Sequence, residues 1–235
     1  MSRWWSFGLC LVVSALLVIA WGAPVRAESL DPARFKGQDR ITLNNITIDK
    51  KKKEIRVQVK LAITKGILEF LLVEERGKTY ESVFKVAGNP ASELNFGLLL
   101  LGLEPLGFNT FGQAVNNKIP VRDLMKAHPN SFVTIDFVRN GRRVPYSSLL
   151  VDREKGGRDF VWVYTGGFMT NENRFSADVM MSWIGIWGAP GAMLNLYSTR
   201  KNPYRGPFGL EINKNNKALK VDQPYELVLR PRKPR

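Results

Sequence analysis

The sequence predicts an α+β fold that is mainly β: a single domain of antiparallel hairpins with two or three short helices. Three observations favour it. Short segments alternate polar and apolar residues as half-buried strands do, turn-forming residues separate several of these segments, and only a few places carry helix start and stop signals. The chain has 235 residues and no internal repeat, a length within reach of one large β-rich domain.

The clearest strand is predicted at residues 54–63, where alternate residues are apolar and would share one face. Residues 41–48 also predict a strand. The intervening residues 49–53 include four consecutive lysines, which favour an exposed turn. We therefore expect the two strands to form a hairpin.

A second hairpin is predicted from residues 67–74 and 79–86, joined around residues 76–77, because Gly77 readily adopts the positive φ of a tight turn. A two-residue turn would place Glu69 and Glu81 on opposite faces of the hairpin, whereas a three-residue turn would place them on the same face. The register therefore decides whether these two carboxylates meet.

A helix is predicted from Asn89, as its N-cap, to about Leu101, with Pro90 at its first position and Gly102 at its end. The elements predicted after it are, in order, a short helix at residues 120–127, a strand at 132–138, a tight turn at Asn140 and Gly141, one or two helical turns at 146–151, a polar loop at 152–158, strands at 160–165 and 175–187, a short helix at 190–196, and weak strands at 210–212 and 225–229. The strand at 175–187 is long enough to contain a bend.

The N-terminus has the three parts of a secretory signal: a basic start, an apolar stretch and a Val-Arg-Ala cleavage site ending at Ala27. The expected divisions of the chain are a signal peptide at residues 1–27, an N-terminal linker at 28–40, the single domain at 41–230 and a basic tail at 231–235. We expect the mature protein in the periplasm or associated with the cell envelope. The alternative is that residues 4–23 remain as a membrane anchor, because about twenty apolar residues can span a bilayer.

Cleavage would change the chemistry of the chain. Its only cysteine, Cys10, would leave with the signal, so that no disulfide, thiolate metal site or cysteine-bound cluster could form. Two of the 35 basic residues and none of the 21 acidic ones would leave as well, which lowers the formal net charge from +14 to +12. This excess favours an anionic partner: an acidic protein, an envelope polymer or an anionic membrane surface. The alternative is solubility alone, because the basic residues fall in loops. Nucleic acid is not expected as a partner, and the oligomeric state stays open.

Few residues offer catalytic chemistry. His128 is the only histidine, which excludes a multi-histidine zinc site, and its place before Pro129 favours helix capping or surface exposure. No nucleophile motif or phosphate-binding loop is present. We therefore predict no catalytic residue, no metal site and no cofactor. The remaining candidates are Glu69, which interrupts an apolar run, and Glu81. The candidate cationic partners of Glu69 are Lys65, Lys78, Arg139 and Arg158.

Aromatic residues are concentrated in one third of the chain. They are Phe160, Trp162, Tyr164, Phe168, Phe175, Trp183 and Trp187. Such a cluster can stack on sugar rings or line a partner groove, but core packing is the more common role, because aromatic side chains bury the largest area per residue.

Four segments in order resemble the YdjY-like domain family of exported bacterial proteins. They are residues 66–71 (GILEFL), 77–82 (GKTYES), 89–94 (NPASEL) with 98–105 (LLLLGLEP), and 162–166 (WVYTG) with 177–178 (AD). The resemblance covers roughly residues 41–196 and implies an exported domain without an established activity, sometimes described as ferredoxin-like. Members of the family often carry a cysteine after the Glu-containing strand and a histidine just before the second glutamate. This chain has residues 71–73 (LLV) and Tyr80 there, a departure that argues against a thiol, redox or metal role.

The resemblance directs attention to seven ligand-binding candidates: Glu69, Lys78, Glu81, Trp162, Thr165, Gly166 and Asp178. The leading hypothesis is a non-catalytic exported binding or accessory module for an anionic or envelope partner. The alternative is a carboxylate-based envelope enzyme or metal-dependent protein that uses Glu69, Glu81 and Asp178. A third hypothesis is a redox-associated, ferredoxin-like accessory protein without cysteines of its own.

Overall fold

The computed structural model describes residues 30–153, 160–198 and 209–232. The predicted signal peptide or anchor, Cys10, Arg158 and the last residues of the basic tail lie outside this part of the chain. Within it the predicted fold class is confirmed: thirteen strands and five short α-helices form one domain, and most strand pairs are antiparallel. Among these residues no helix has the length and apolar character needed to cross a membrane.

The strands are short and follow one another closely. They are β1 (Arg40–Leu43), β2 (Ile46–Asp49), β3 (Glu54–Leu61), β4 (Phe70–Glu74), β5 (Ser82–Val86), β6 (Phe132–Arg139), β7 (Arg142–Val144), β8 (Leu150–Asp152), β9 (Trp162–Tyr164), β10 (Ser182–Gly185), β11 (Leu194–Leu196), β12 (Leu210–Ile212) and β13 (Pro224–Pro231). The α-helices are α1 (Ala91–Leu100), α2 (Phe108–Asn116), α3 (Val121–Ala127), α4 (Tyr146–Leu149) and α5 (Ser176–Val179). Two short 3-10 helices lie at Pro32–Phe35 and Thr79–Glu81.

Eight strands pair in a closed ring, in the order β3, β13, β6, β9, β11, β10, β4, β5 and back to β3. The ring closes where Leu61 of β3 pairs with Phe84 of β5. Because alternate residues of a strand point to the same face, the ring fills its interior with apolar side chains, and Phe84, Trp162 and Trp183 are almost completely buried there. A second, smaller apolar cluster lies under α2 and α3.

Several local signals gave the right structure. The lysine-rich turn joins β2 to β3, and Asn140 and Gly141 join β6 to β7 with φ values of 50° and 72°, as the two-residue hairpin turn requires. Helix α1 stops at Gly102, which has φ 84°. The N–H of Leu103 then donates to the carbonyl of Leu98 at 3.1 Å, which satisfies a helix-terminal acceptor.

The predicted hairpin of residues 67–74 and 79–86 is wrong. Strands β4 and β5 pair in parallel, with Phe70 beside Ser82 and Leu72 beside Phe84. The chain returns between them through residues 75–81, which include a 3-10 helix. The strand directions are set by the outer neighbours, since β4 pairs with β10 and β5 with β3. Glycine in a connecting segment therefore did not indicate a hairpin here.

Other elements also differ from the prediction. Residues 41–48 form the hairpin of β1 and β2 rather than one strand, with Asn44 at φ 48° in its turn. Residues 175–187 divide into α5 and β10, residues 190–196 contain strand β11 instead of a helix, and α2 was not predicted. Strand β11 is buried because it pairs with β9 on one side and β10 on the other, so that context overrides the local helix signal. Strand β13, predicted as weak, is a long central strand of the ring.

Candidate functional site

The parallel pairing of β4 and β5 places Glu69 and Glu81 side by side. The N–H of Glu69 donates to the carbonyl of Glu81 at 2.9 Å. The Nζ atom of Lys78 lies 2.9 Å from Oε2 of Glu69 and 3.7 Å from Oε2 of Glu81. The two glutamate side chains are 22% and 24% exposed, whereas that of Lys78 is 50% exposed. The structure thus brings three of the seven sequence-predicted residues together in one charged triad.

The triad is electrostatically satisfied. The hydrogen bond from Lys78 to Glu69 raises the pKa of the Lys78 amine, against a smaller effect of burial that lowers it. The same amine lies 5.7 Å from the centroid of the Phe70 ring, a favourable cation–π distance. Because Lys78 stays charged between the two carboxylates, the triad acts as a structural ion-pair group rather than as a pair of free catalytic acids.

Replacement of Lys78 by Met tests this role. We expect Lys78→Met to lower the free energy of unfolding at neutral pH by no more than about 1 kcal/mol, because the ion pairs are half exposed. The variant leaves the carboxylates of Glu69 and Glu81 facing each other without the cation between them, so that their repulsion adds to the loss at neutral pH. The loss should therefore shrink in acid, where this repulsion disappears. Thermal unfolding over a pH series measures this. Lys217→Met, at an exposed lysine without an ion pair in the described residues, is the control, and an equal loss at every pH would contradict the triad.

Asp178 lies apart from this triad. Its Oδ1 atom accepts a hydrogen bond from the N–H of Ser92 at 3.0 Å and so caps α1 from outside the helix. Burial, helped by the charge of Asp178, raises the pKa of nearby Glu93, although a hydrogen bond from Asn89 acts in the opposite direction. Within the described residues no group of three or more His, Cys, Asp and Glu side chains could hold a metal ion. Glu69, Glu81 and Asp178 therefore do not form a three-carboxylate centre.

The other three candidates are packing residues. Trp162 is fully buried, and its Nε1–H donates to the Tyr146 hydroxyl at 3.1 Å. Thr165 is 1% exposed, and its hydroxyl accepts a hydrogen bond from Nδ2 of Asn195 at 2.9 Å. Gly166 has φ 86° and packs directly against Pro105. Neither the Trp162 nor the Thr165 side chain is open to a ligand. Three of the seven clustered aromatic residues, Trp162, Tyr164 and Trp183, are buried in the core, and the other four are half-buried or exposed.

A cleft that the sequence did not reveal lies at the C-terminal end of α1 and has a volume of about 860 Å³. The turn between β2 and β3 and strands β6, β7 and β13 supply its other walls. The charged residues that line it are Lys52, Lys53, Arg143, Arg230, Arg232 and Asp136. We refer to it below as the basic cleft. The residues that line it are separated in sequence by up to the whole length of the domain, and the sequence singled out only the lysine run and the basic tail that contains Arg232.

Two of its arginines are compensated. The Oδ1 atom of Asp136 lies 2.6 Å from Nη2 of Arg143, and Oδ2 lies 3.0 Å from Nη1 of Arg230. Arg230 also pairs with Glu54 at 2.8 Å. By contrast, Lys52, Lys53 and Arg232 form no ion pair with any residue that the structure describes. The uncompensated positive charges of the cleft are therefore those of Lys52, Lys53 and Arg232.

An aromatic stack forms one wall of the basic cleft. The ring of Tyr146 lies 4.2 Å from that of buried Phe137 and 4.1 Å from that of Phe160. The Tyr146 hydroxyl donates to the carbonyl of Ile135 at 2.5 Å, and burial raises its pKa far above the ordinary value. Tyr146 is therefore a neutral, fixed support that holds half-buried Phe160 at the cleft.

Comparison of the chain with models of protein families, with curated proteins and with solved structures gave no match. The resemblance to the YdjY-like family stays a prediction, and the function has to be argued from the geometry of the basic cleft.

Proposed function

We propose that the protein is a non-catalytic, exported binding or accessory module of the YdjY-like type, and that it holds an anionic envelope partner in the basic cleft. The observation that carries this proposal is the uncompensated charge of Lys52, Lys53 and Arg232 in a concave surface. Its volume of about 860 Å³ falls in the usual range of ligand pockets.

The electrostatics of the cleft support binding rather than catalysis. Cations in a concave, low-dielectric surface attract anions more strongly than the same cations on a flat surface. The only carboxylate among the charged lining residues, Asp136, is already engaged by two arginines. The cleft thus offers charge and hydrogen-bond donors without a free base or nucleophile among its charged lining residues. Export is supported by the signal-like N-terminus alone.

The double variant Lys52→Gln/Lys53→Gln tests the proposal. We expect it to weaken binding of tripolyphosphate and of trigalacturonate about tenfold at low salt, because each lysine, as an exposed ion pair with the anion, contributes on the order of 0.7 kcal/mol. Calorimetric titration of the purified protein at low and at physiological salt measures this, and the difference should narrow as salt screens the charges.

Lys60→Gln/Lys65→Gln is the matched control, since it removes the same charge at the opposite end of β3. Its affinities should stay within about twofold of the unmodified protein. An equal loss in both double variants would show a general charge effect, and absence of binding to either anion would overturn the proposed function.

A further inference from the structure

We infer that the anionic partner is an acidic oligosaccharide, with Phe160 as the platform for a sugar ring and Arg232 as the ligand of its carboxylate. This inference rests on the proposed function and names the class of ligand that the basic cleft takes.

The position of Phe160 carries the first part. Its ring is the outer member of the stack with Tyr146 and Phe137, and it lines the basic cleft while only half buried. A fixed aromatic surface beside cations suits a ligand that has an apolar face and an anionic edge.

Arg232 supplies the second part. Its backbone N–H donates to the carbonyl of Phe132 at 2.8 Å, which fixes the residue at the end of β13. Its Nη1 atom donates to the carbonyl of Phe160 at 3.4 Å, so the guanidinium lies next to the aromatic residue. No carboxylate among the described residues pairs with it. A guanidinium with free donors binds carboxylates in a bidentate manner.

The surface fits a sugar acid better than a membrane or a simple polyanion. A membrane-binding face combines basic and exposed apolar side chains. Here the exposed apolar residues Met169 and Met180 lie near α5, which contacts the N-terminal end of α1, whereas at the C-terminal end of α1, beside the basic cleft, the helix exposes a single large apolar side chain, Leu99, which is 49% exposed. The ten residues of α1 separate these ends by about 15 Å. Polyphosphate matches the cations but has no apolar face for Phe160.

Phe160→Leu tests the inference, because leucine keeps an apolar side chain while removing the aromatic face. We expect this variant to bind trigalacturonate about three- to tenfold more weakly, as stacking predicts, and to bind tripolyphosphate within about twofold of the unmodified protein. Arg232→Gln should weaken binding of both anions. Phe168→Leu is the control, since Phe168 is 43% exposed but does not line the cleft. Thermal unfolding of each variant confirms that it is folded.

The outcomes separate the inference from the proposed function. If both anions bind and Phe160→Leu affects them equally, the sugar platform is overturned while the basic cleft stands. If neither anion binds, the proposed function fails as well. If vesicles containing phosphatidylglycerol bind and trigalacturonate does not compete, the partner is a membrane surface and the inference is overturned. Selective loss of trigalacturonate binding in Phe160→Leu supports it.

Discussion

Gly166→Ala should lower the free energy of unfolding by about 2–5 kcal/mol, the largest single effect that we expect in this protein. A Cβ atom at this position would lie 2.5 Å from Cβ of Pro105, well inside van der Waals contact. The backbone has φ 86°, a conformation that L-residues with a side chain adopt only at a cost. Steric overlap and backbone strain therefore add. Neither Pro105 nor Gly166 can move freely, because the N–H of Leu106 donates to the carbonyl of Tyr164 at 2.8 Å beside their contact.

Thermal and denaturant unfolding measure this loss, which corresponds to about 4–20 °C in Tm for a domain of this size. Gly112→Ala is the matched control. Gly112 lies in α2 and its added Cβ would meet nothing within 4 Å, so alanine should leave the stability unchanged or raise it by up to about 1 kcal/mol. Similar stability of Gly166→Ala and the unmodified protein would contradict the packing role.

This prediction also separates two interpretations of Gly166. The family resemblance made it a ligand-binding candidate, whereas the structure gives it a close approach to Pro105. Where Gly166→Ala still folds, its affinity for anions in the basic cleft should equal that of the unmodified protein. A selective loss of binding without loss of stability would return Gly166 to the candidate ligand-binding residues.

Local features of the fold were predictable because their causes lie within a few residues. Helix α1 ends at Gly102 because glycine readily adopts positive φ. Asn140 and Gly141 form the turn between β6 and β7 because both residues tolerate positive φ. The parallel pairing of β4 with β5 was not predictable, since it depends on β10 and β3, which are distant in sequence. The pairing of β4 with β5 is set by these non-local neighbours, which no turn motif between the two strands indicates.

The candidate site was likewise predictable only where its causes are local in the sequence. The sequence singled out Glu69 and Glu81, and the pairing that unites them was decided by strand direction rather than by the length of a turn. The basic cleft combines Lys52 with Arg232, which lie at opposite ends of the domain sequence. Only the folded ring of strands, with β13 beside both β3 and β6, brings these cations to one surface.

A network of charged residues beside the basic cleft connects the buried carboxylate of Glu54 to an arginine that lines the cleft. Glu54 is 5% exposed, and its Oε1 atom accepts from Nε of Arg56 at 2.8 Å while Oε2 accepts from Nη2 of Arg230 at 2.8 Å. Arg230 in turn reaches Asp136 in the basic cleft. The network lies over Val228, which pairs with Arg56 and Asp136 in register and is 1% exposed. Glu54 therefore fixes a cleft-lining arginine without lining the cleft itself.

Glu54→Ala should lower the free energy of unfolding near neutral pH by about 1–3 kcal/mol, because it leaves two arginines without their shared carboxylate. The arginine side chains are 37% and 38% exposed, so solvent moderates the loss.

Burial on its own would raise the pKa of Glu54, but hydrogen bonds from Arg56 and Arg230 outweigh it and lower the pKa below 4.5. A carboxylate with a lowered pKa stabilises the fold above its unfolded-state pKa and loses that effect as the pH falls through the folded-state value. The difference between Glu54→Ala and the unmodified protein should accordingly be full near neutral pH and shrink below about pH 4.5. Unfolding over a pH series measures it, with Glu172→Ala as control, since the Glu172 side chain is 78% exposed. If Glu54→Ala lowered the free energy of unfolding by the same amount at acid pH as at neutral pH, Glu54 would act through packing rather than through its charge.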